Sequence, residues 1–229
     1  MNTQKTRDPQ TIISGHLVGN FSDDETLEKP ITDIMKTLLP YCDLFVDVGA
    51  NVGYYTLLAS KYMERENAKI YSFEPDDILY KYLKDITSTK KNIEVFSAAI
   101  SNSKGKDQFF VSDLPRSGSL HKISDEHFPI VVDITTIDEV LKDVSVSKII
   151  IKIDVEGGEL KVLEGAIETL QKIRPILFIE IHAKFLELIN KTPIDVFEFL
   201  NRYNYMSIVI YSSRIVAVPR EKISLNVTW

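Results

Sequence analysis

Short apolar runs alternate with amphipathic stretches along most of the chain. Continuous apolar runs predict buried strands, and apolar residues that recur every three or four positions predict helices between them. This alternation favours an α/β fold with a doubly wound, mostly parallel, Rossmann-like sheet. The predicted core strands lie at 45–48, 69–74, 93–101, 148–154 and 176–181, with additional strand patterns at 108–111 and 131–135.

The last part of the chain has a different pattern. Two apolar runs, at 206–211 and 215–218, are separated only by Ser212, Ser213 and Arg214. Such spacing predicts an antiparallel hairpin. The sheet is therefore expected to be parallel in its centre and antiparallel at its C-terminal edge.

A glycine turn follows the first strand. The segment FVDVGANVGYYT at 45–56 places Gly49 and Gly53 between a strand and a helix. Glycines there let a ligand approach the backbone, and the helix that follows directs free N–H groups at it. A dinucleotide turn needs a second glycine where Asn51 stands, and Asp47 would repel a diphosphate. The turn therefore favours a cationic cofactor, S-adenosylmethionine, with an ordinary ligand-free turn as the alternative.

An acidic residue ends the second strand. Glu74 lies 21 residues after Gly53, at a position where a carboxylate can accept hydrogen bonds from both ribose hydroxyls. Considered alone, Glu74 would be a solvated acid at a strand end. Because it follows the glycine turn at this distance, we expect it to bind the ribose of the cofactor.

Composition and charge narrow the class of protein. The 229 residues include 44% hydrophobic side chains and carry a net charge of −6, with a pI of about 5.3. This size and apolar share suit one globular domain, and the acidic balance argues against a nucleic-acid or anionic-membrane partner. The single cysteine, Cys42, allows no internal disulfide, and the sequence shows no signal-peptide or membrane-spanning run. We therefore expect a soluble, cytoplasmic protein.

One domain is predicted over 1–229. Residues 1–24 are polar and lack a clear period, so we expect them to be irregular. Apolar residues then recur at helical spacing up to Pro40, which predicts a helix at 25–40 that covers one edge of the cofactor site. The α/β core is expected over 41–229.

Four segments together resemble one family. VDVGANVGYYT at 46–56, FEP at 73–75, IKIDVEGGELKVLEG at 151–165 and IEIH at 179–182 are similar, in the same order, to segments of the FkbM-type methyltransferases. The resemblance implies a class I methyltransferase fold, S-adenosylmethionine as cofactor and, most often, methylation of a hydroxyl on a sugar or natural product. The terminal hairpin agrees, because it closes the sheet of that fold and is usually missing from dehydrogenase domains.

The resemblance also assigns cofactor contacts to particular residues. Glu74 falls at the ribose position. The adenine position falls on Ser97 and Ala98, at the end of the third predicted strand. The residues implied around the methionine part of the cofactor are Asp47, Gly49, Ala50, Asn51 and Gly53.

Acidic residues and a histidine follow the strands at 148–154 and 176–181. Ligands of open α/β sheets bind beyond the carboxyl ends of the strands, so Asp154, Glu180 and His182 are expected to meet where the methyl group is delivered. His182 is the predicted general base, because its ordinary pKa near 6.5 suits neutral pH. A strand-end histidine bonded to the backbone is the alternative. Glu180 would orient the ring or bind substrate hydroxyls.

Asp154 has two possible functions. It would hold the acceptor or the cofactor ammonium, or it would ligate a divalent metal together with Glu156, Glu180 or His182. The spacing does not decide between them, and the metal-free arrangement is favoured.

Lys152 interrupts a run of isoleucines in the strand at 148–154. It shares a strand face with Asp154, because side chains two residues apart point the same way. A buried lysine needs a partner, so a salt bridge to Asp47 or Asp154 is expected.

A long loop at 113–129 is the expected location of acceptor specificity. Arg116 and Ser117, together with Glu156, would bind the acceptor. The leading hypothesis is O-methylation of a small molecule or glycan. N-methylation of a sugar or peptide and a catalytically silent cofactor-binding module are the alternatives, and intact acids with a histidine at two strand ends argue against the silent module. The sequence identifies neither the acceptor nor the oligomeric state.

Overall fold

The computed structural model of the protein describes residues 7–21, 25–112, 118–122, 125 and 127–223. The strands in these ranges are β1 (Leu44–Val48), β2 (Lys69–Phe73), β3 (Ile93–Phe96), β4 (Ala98–Ile100), β5 (Gly105–Val111), β6 (Phe128–Thr135), β7 (Ile149–Ile153), β8 (Ile176–Glu180), β9 (Tyr205–Tyr211) and β10 (Arg214–Pro219). Seven of them form the main sheet, in the order β3-β2-β1-β7-β8-β10-β9. The first five pair in parallel, and β10 is antiparallel to β8 and β9. The predicted fold class, with its antiparallel C-terminal hairpin, is confirmed.

Helices pack on both faces of the main sheet. They are α1 (Pro9–Phe21), α2 (Glu25–Leu38), α3 (Tyr54–Tyr62), α4 (Asp77–Ile86), α5 (Ile137–Leu141), α6 (Glu159–Glu164), α7 (Ile167–Lys172), α8 (Ala183–Glu187) and α9 (Pro193–Arg202). Helices α6, α7 and α9 bury Val46 and Ile151 on one face, and α2 and α3 bury Phe45 and Phe178 on the other. Among these described helices, none is both long and apolar enough to cross a bilayer.

The strand order reverses at β1, which lies between β2 and β7. Val48, at the carboxyl end of β1, is aligned with Ile153 at the carboxyl end of β7. The chain passes from β1 to its neighbour β2 on one side, and from β7 to its neighbour β8 on the other side. Such a reversal opens a crevice above the strand ends. The fold therefore places the glycine turn and Asp154 beside the same crevice.

A second, three-stranded sheet was not predicted. The run at 93–101 was predicted as one strand, but it breaks at Ser97, and its second half, β4, pairs with β6 in the order β4-β6-β5. Both halves are apolar enough for a strand, so the local pattern carries no information about which partner each half takes. The small sheet packs around Phe109, Val111 and Ile134.

The N-terminal segment differs from the sequence-based prediction. Residues 1–24 were expected to be irregular, but Pro9–Phe21 is a helix. The Asp8 carboxylate accepts hydrogen bonds from the backbone N–H groups of Gln10 and Thr11, which caps the helix start. Pro9 suits the first helical position because it lacks an N–H. Tertiary packing of Ile12 stabilises a sequence without a clear amphipathic stripe.

Two further helices differ from their predicted form or position. Helix α2 forms as expected, but Ile31 and Met35 pack on the sheet face that carries Phe45 rather than along the crevice beside the glycine turn. The apolar residues at 160–170 have helical spacing throughout, which predicts one helix, whereas the structure has two, α6 and α7. The break lies at Gly165, where an added Cβ would stand 2.1 Å from the carbonyl oxygen of Ser101.

Candidate active site

The glycine turn after β1 depends on left-handed backbone conformations. Gly49 has φ +78° and Gly53 has φ +89°, and Asn51 between them has φ 52°. A Cβ added to Gly49 would lie 1.9 Å from the carbonyl oxygen of Asp154. Glycine at this position therefore allows the turn to approach the end of β7 more closely than any other residue would.

Replacing Gly49 with alanine should destabilise the protein by roughly 2–4 kcal/mol, because left-handed strain adds to a backbone clash. The measurement is the free energy of unfolding in urea. Gly105→Ala is a matched control, since Gly105 also has a positive φ, +137°, but its added Cβ would meet no atom within 4 Å. Equal losses in the two variants would contradict the close approach described here.

Glu74 joins the turn to the end of β2. One of its carboxylate oxygens accepts the backbone N–H of Asn51 at 2.8 Å, and the other accepts that of Asp76 at 2.8 Å. Burial raises the pKa of Glu74 to about 8; the charge of Asp76 acts in the same direction, although the two N–H donors oppose it. The carboxyl group is thus buried and fixed in orientation, and a bound ligand would readily change its pKa.

A cavity opens between the glycine turn, the end of β7 and the small sheet. Its wall includes Gly49 and Asn51 from the turn, Glu74 from the end of β2, and Ala98 from β4. Apolar side chains line much of the rest, among them Phe73, Leu79, Phe109 and Leu120. The carboxyl end of β7 closes the cavity with Asp154 and Glu156. The wall is therefore largely apolar, and the part of it that Asp154 and Glu156 form is its acidic end.

Not all of the predicted cofactor residues reach this cavity. Gly49, Asn51, Glu74 and Ala98 line it. Ser97 does not, because it lies exposed at the break between β3 and β4. The other three predicted residues belong to the end of β1 and to the turn but do not line the cavity: Asp47, Ala50 and Gly53.

Asp47 is fully buried beneath the turn. Its carboxylate accepts a hydrogen bond from the Thr56 hydroxyl at 2.7 Å and lies 3.6 Å from the Lys152 ammonium. Lys152 also lies 3.2 Å from Asp154 and donates to the carbonyl of Gly49 at 3.3 Å. The predicted salt bridge is confirmed, with both acids. Burial alone would lower the pKa of Lys152, but the charges of Asp154 and Asp47 raise it above its ordinary value, so the ammonium stays charged.

The predicted rim residues meet at the ends of β7 and β8. His182 Nε2 lies 3.7 Å from Asp154, 3.4 Å from Glu156 and 3.9 Å from Glu180. The ring Nδ1–H donates to Glu159 at 2.8 Å. Asp154 and Glu156 also line the cavity, so the cluster lies directly at the cavity's acidic end.

The charge state of His182 differs from the one expected from the sequence. Burial alone would lower its pKa, but the hydrogen bond to Glu159 and the charges of Asp154 and Glu156 outweigh that and raise the pKa to about 9. At neutral pH the ring therefore carries a proton and cannot accept another. This pKa differs from the ordinary value near 6.5 on which the general-base prediction rested, because Glu159, Asp154 and Glu156 around the ring were not counted together.

Some residues of the site were missed and others lie outside the described part. Glu159, which holds the His182 ring, is fully buried; its place in the segment DVEGGEL was the available signal. Phe109 lies in the strand predicted at 108–111, which was given no part in the site, and Leu120 lies in the loop at 113–129, which was assigned to the acceptor rather than to the cofactor cavity. The proposed acceptor contacts Arg116 and Ser117 lie outside the described residues.

Ser119 ties the loop at 118–122 to the end of β7. Its buried hydroxyl donates to the carbonyl of Glu156 at 2.7 Å and accepts the N–H of His121 at 3.1 Å. Glu156 itself has a left-handed backbone, with φ 52°. The contact therefore holds the loop and the strained Glu156 together at the acidic end of the cavity.

Residues 47–206 match the sequence model of the FkbM methyltransferase domain. The chain belongs to the FkbM methyltransferase family. Hexuronic acid methyltransferase AglP of Haloferax volcanii is 30% identical over 156 residues, which are 66% of this chain and 62% of that protein. The family member described here thus spans less than two thirds of this relative's length.

The crystal structure of methyltransferase FkbM from Methylobacillus flagellatus shares the fold. It superposes with a TM-score of 0.52 at 18% sequence identity, over 77% of this chain and 43% of that chain. Together with the strand order and the terminal hairpin, this identifies the class I methyltransferase fold of S-adenosylmethionine-dependent enzymes.

The side chains that line the cavity have the chemistry that S-adenosylmethionine, the cofactor implied by the fold, requires. Glu74 presents a buried carboxylate to the cavity, as a ribose diol requires. The apolar wall around Phe73, Leu79 and Phe109 suits a purine ring. Asn51, in the glycine turn, supplies a polar group of the kind that an amino-acid moiety needs.

Proposed function

We propose that the chain is an S-adenosylmethionine-dependent O-methyltransferase that acts on a hydroxyl of a sugar or other small natural product. The proposal rests on two residues that belong both to the cofactor cavity and to the acidic cluster around His182. Asp154 and Glu156 line the cofactor cavity and at the same time lie within 4 Å of His182 in the acidic cluster. A methyl group held at this end of the cavity would point at a site rich in hydrogen-bond acceptors.

The residues that would hold the cofactor come from both sheets. We expect Glu74 to accept the ribose hydroxyls and Asn51 to contact the methionine part. Phe109 of the small sheet and Leu120 of its loop would enclose the adenine together with Leu79. When bound, S-adenosylmethionine supplies an electrophilic methyl group on a positively charged sulfur. The protein's part is to orient it and to exclude water from it.

The acidic cluster would bind the acceptor. Carboxylates accept hydrogen bonds from hydroxyl groups, and Asp154, Glu156 and Glu180 offer several around one centre. During methyl transfer, one of these carboxylates would take up the proton that the acceptor hydroxyl loses. The hexuronic acid acted on by AglP is a sugar derivative, which supports a sugar as the class of acceptor.

Binding of the nucleoside part should depend on pH through Glu74. The affinity for 5′-methylthioadenosine, which lacks the titrating amino-acid group, should rise roughly 20-fold between about pH 6.5 and about pH 8.5, because the ionised fraction of a group with a pKa of about 8 rises over that interval. Calorimetric titration across this range measures it. The Glu74→Gln variant should show a flat profile, and a flat profile in the native protein would exclude an ionised Glu74 as the ribose ligand.

The function is tested by calorimetric titration of EDTA-treated protein with S-adenosylmethionine, S-adenosylhomocysteine and NAD. Binding of the first two without NAD supports the cofactor assignment, and binding of none would reject it. An acceptor screen with neutral sugars, uronic acids and amino sugars then follows S-adenosylhomocysteine release. Mass and NMR analysis of the product distinguishes an O-methyl from an N-methyl group, and an N-methyl product would overturn the O-methyl proposal.

A further inference from the structure

Three side chains at the ends of β7 and β8 have the geometry of metal ligands. One ligand atom from each of Asp154, Glu180 and His182 lies within 4.8 Å of the others. They come from two adjacent parallel strands, so the sheet itself sets their separation. Glu156, whose carboxylate is 3.4 Å from the same His182 nitrogen, borders the group.

The histidine is oriented from behind by a buried acid. Glu159 is fully buried, and its Oε1 accepts hydrogen bonds from His182 Nδ1–H at 2.8 Å and from the Gly157 N–H at 3.1 Å. A carboxylate bonded to one imidazole nitrogen is the usual arrangement behind a metal-bound histidine, because it fixes the ring and directs the other nitrogen at the ion. Here that other nitrogen, Nε2, faces Asp154 and Glu180, and a bound ion would take the place of the proton on Nε2.

The acids are held from outside by cations. Lys152 binds Asp154 through Oδ2, which turns Oδ1 toward His182. Arg214 lies 3.2 Å from Glu180 Oε1. Lys152 is itself buried and bonded to the Gly49 carbonyl, so Asp154 is held in place by a rigid part of the fold. Such outer contacts orient ligating carboxylates as well as histidines.

We propose that Asp154, Glu180 and His182 form a binding site for a divalent transition-metal ion of the Mn²⁺ type. Two carboxylates with one imidazole make a mixed oxygen and nitrogen donor set, which suits Mn²⁺ better than Mg²⁺ or Ca²⁺, ions that prefer oxygen alone. The sequence favoured a metal-free site, but spacing could not reveal that the three groups converge or that Glu159 supports the histidine.

The role of the ion rests on the proposed function, although its binding does not. Asp154 belongs to the cofactor cavity and to the ion site at once. An ion there would bind the acceptor oxygen next to the methyl group and ease loss of the hydroxyl proton. The acceptor class would then be one with an oxygen pair able to bind a metal, such as a vicinal diol or an α-hydroxy carboxylate.

The test is binding of Mn²⁺ to the EDTA-treated full chain. Calorimetry and the loss of the free-ion signal in electron paramagnetic resonance both measure the bound ion. We expect one saturable ion per chain. Glu180→Gln and His182→Gln should each weaken binding at least about tenfold, as loss of a ligand or of its orientation does. Glu187→Gln, an exposed acid on the neighbouring α8, should bind Mn²⁺ as the native protein does.

Three results would overturn the site: no saturable Mn²⁺ binding by folded native protein, equal affinity in all the variants, or binding of Mg²⁺ but not Mn²⁺. Thermal unfolding of each variant checks that it is folded. S-adenosylhomocysteine titration of the same metal-free samples separates the two proposals. Cofactor binding without Mn²⁺ binding would reject the ion site and leave the methyltransferase assignment standing, whereas the reverse would reject the cofactor assignment alone.

Discussion

Replacing Glu74 with glutamine should weaken S-adenosylhomocysteine binding about 100-fold, which corresponds to roughly 3 kcal/mol and the loss of two charge-assisted hydrogen bonds. Both carboxylate oxygens already accept a backbone N–H, from Asn51 and from Asp76. A glutamine amide would direct its own N–H groups at one of these donors. The substitution thus disturbs the turn as well as the ribose contact. Calorimetry at a pH above the pKa of Glu74 gives the comparison.

The control for this variant is Glu94→Gln. Glu94 is an exposed acid on β3, paired at the surface with Lys69, and its loss should leave cofactor affinity unchanged. Unfolding midpoints of both variants establish that each is folded. Native affinity in a folded Glu74→Gln protein would remove Glu74 as the ribose ligand.

Replacing Asp154 with asparagine should lower kcat about 100-fold or more, with little change in affinity for S-adenosylhomocysteine. The reason is that Asp154 lies where the cavity meets the acidic cluster, so its charge acts on the acceptor rather than on the ribose or adenine. Losses of this size are typical for a group that handles a proton in the transition state. The fold should tolerate the change, because Lys152 keeps Asp47 as a charged partner.

Steady-state kinetics with an acceptor found in the screen tests this expectation. Asp143→Asn, a change at an exposed acid after α5, is the matched control and should keep native kcat. A variant that lost cofactor affinity while keeping kcat would assign Asp154 to the cofactor. Unchanged kcat and affinity would place the acceptor elsewhere on the protein.

The strands and turns of the main sheet followed directly from the sequence, and for a physical reason. A central strand such as β7 is apolar apart from Lys152 because both of its faces are buried, and that pattern does not depend on distant partners. Gly49 and Gly53 were visible because few other residues adopt their backbone conformation. The position of Glu74 followed from its distance to the turn, which the intervening helix determines.

Features that depend on tertiary partners could not be predicted in this way. Helix α1 contains two glycines and no amphipathic stripe. Apart from Asp8 and Pro9 at its start, the sequence therefore contains no local sign that this helix forms and packs on α4. The separation of β4 from β3 depends on pairing with β6. The charge of His182 depends on Asp154, Glu156 and Glu159, which all follow β7 rather than β8, and no single-residue pKa could reveal their sum.

The cofactor cavity has walls from both sheets. Glu74 and Asp154 belong to the main sheet, and Phe109 and Leu120 belong to the small sheet and its loop. A ligand in the cavity would therefore join the two sheets, and its binding energy would add to the cohesion between them. In a cell, the heat tolerance and protease resistance of the small sheet would then rise and fall with the supply of S-adenosylmethionine, so that starvation for methionine would shorten the lifetime of the protein.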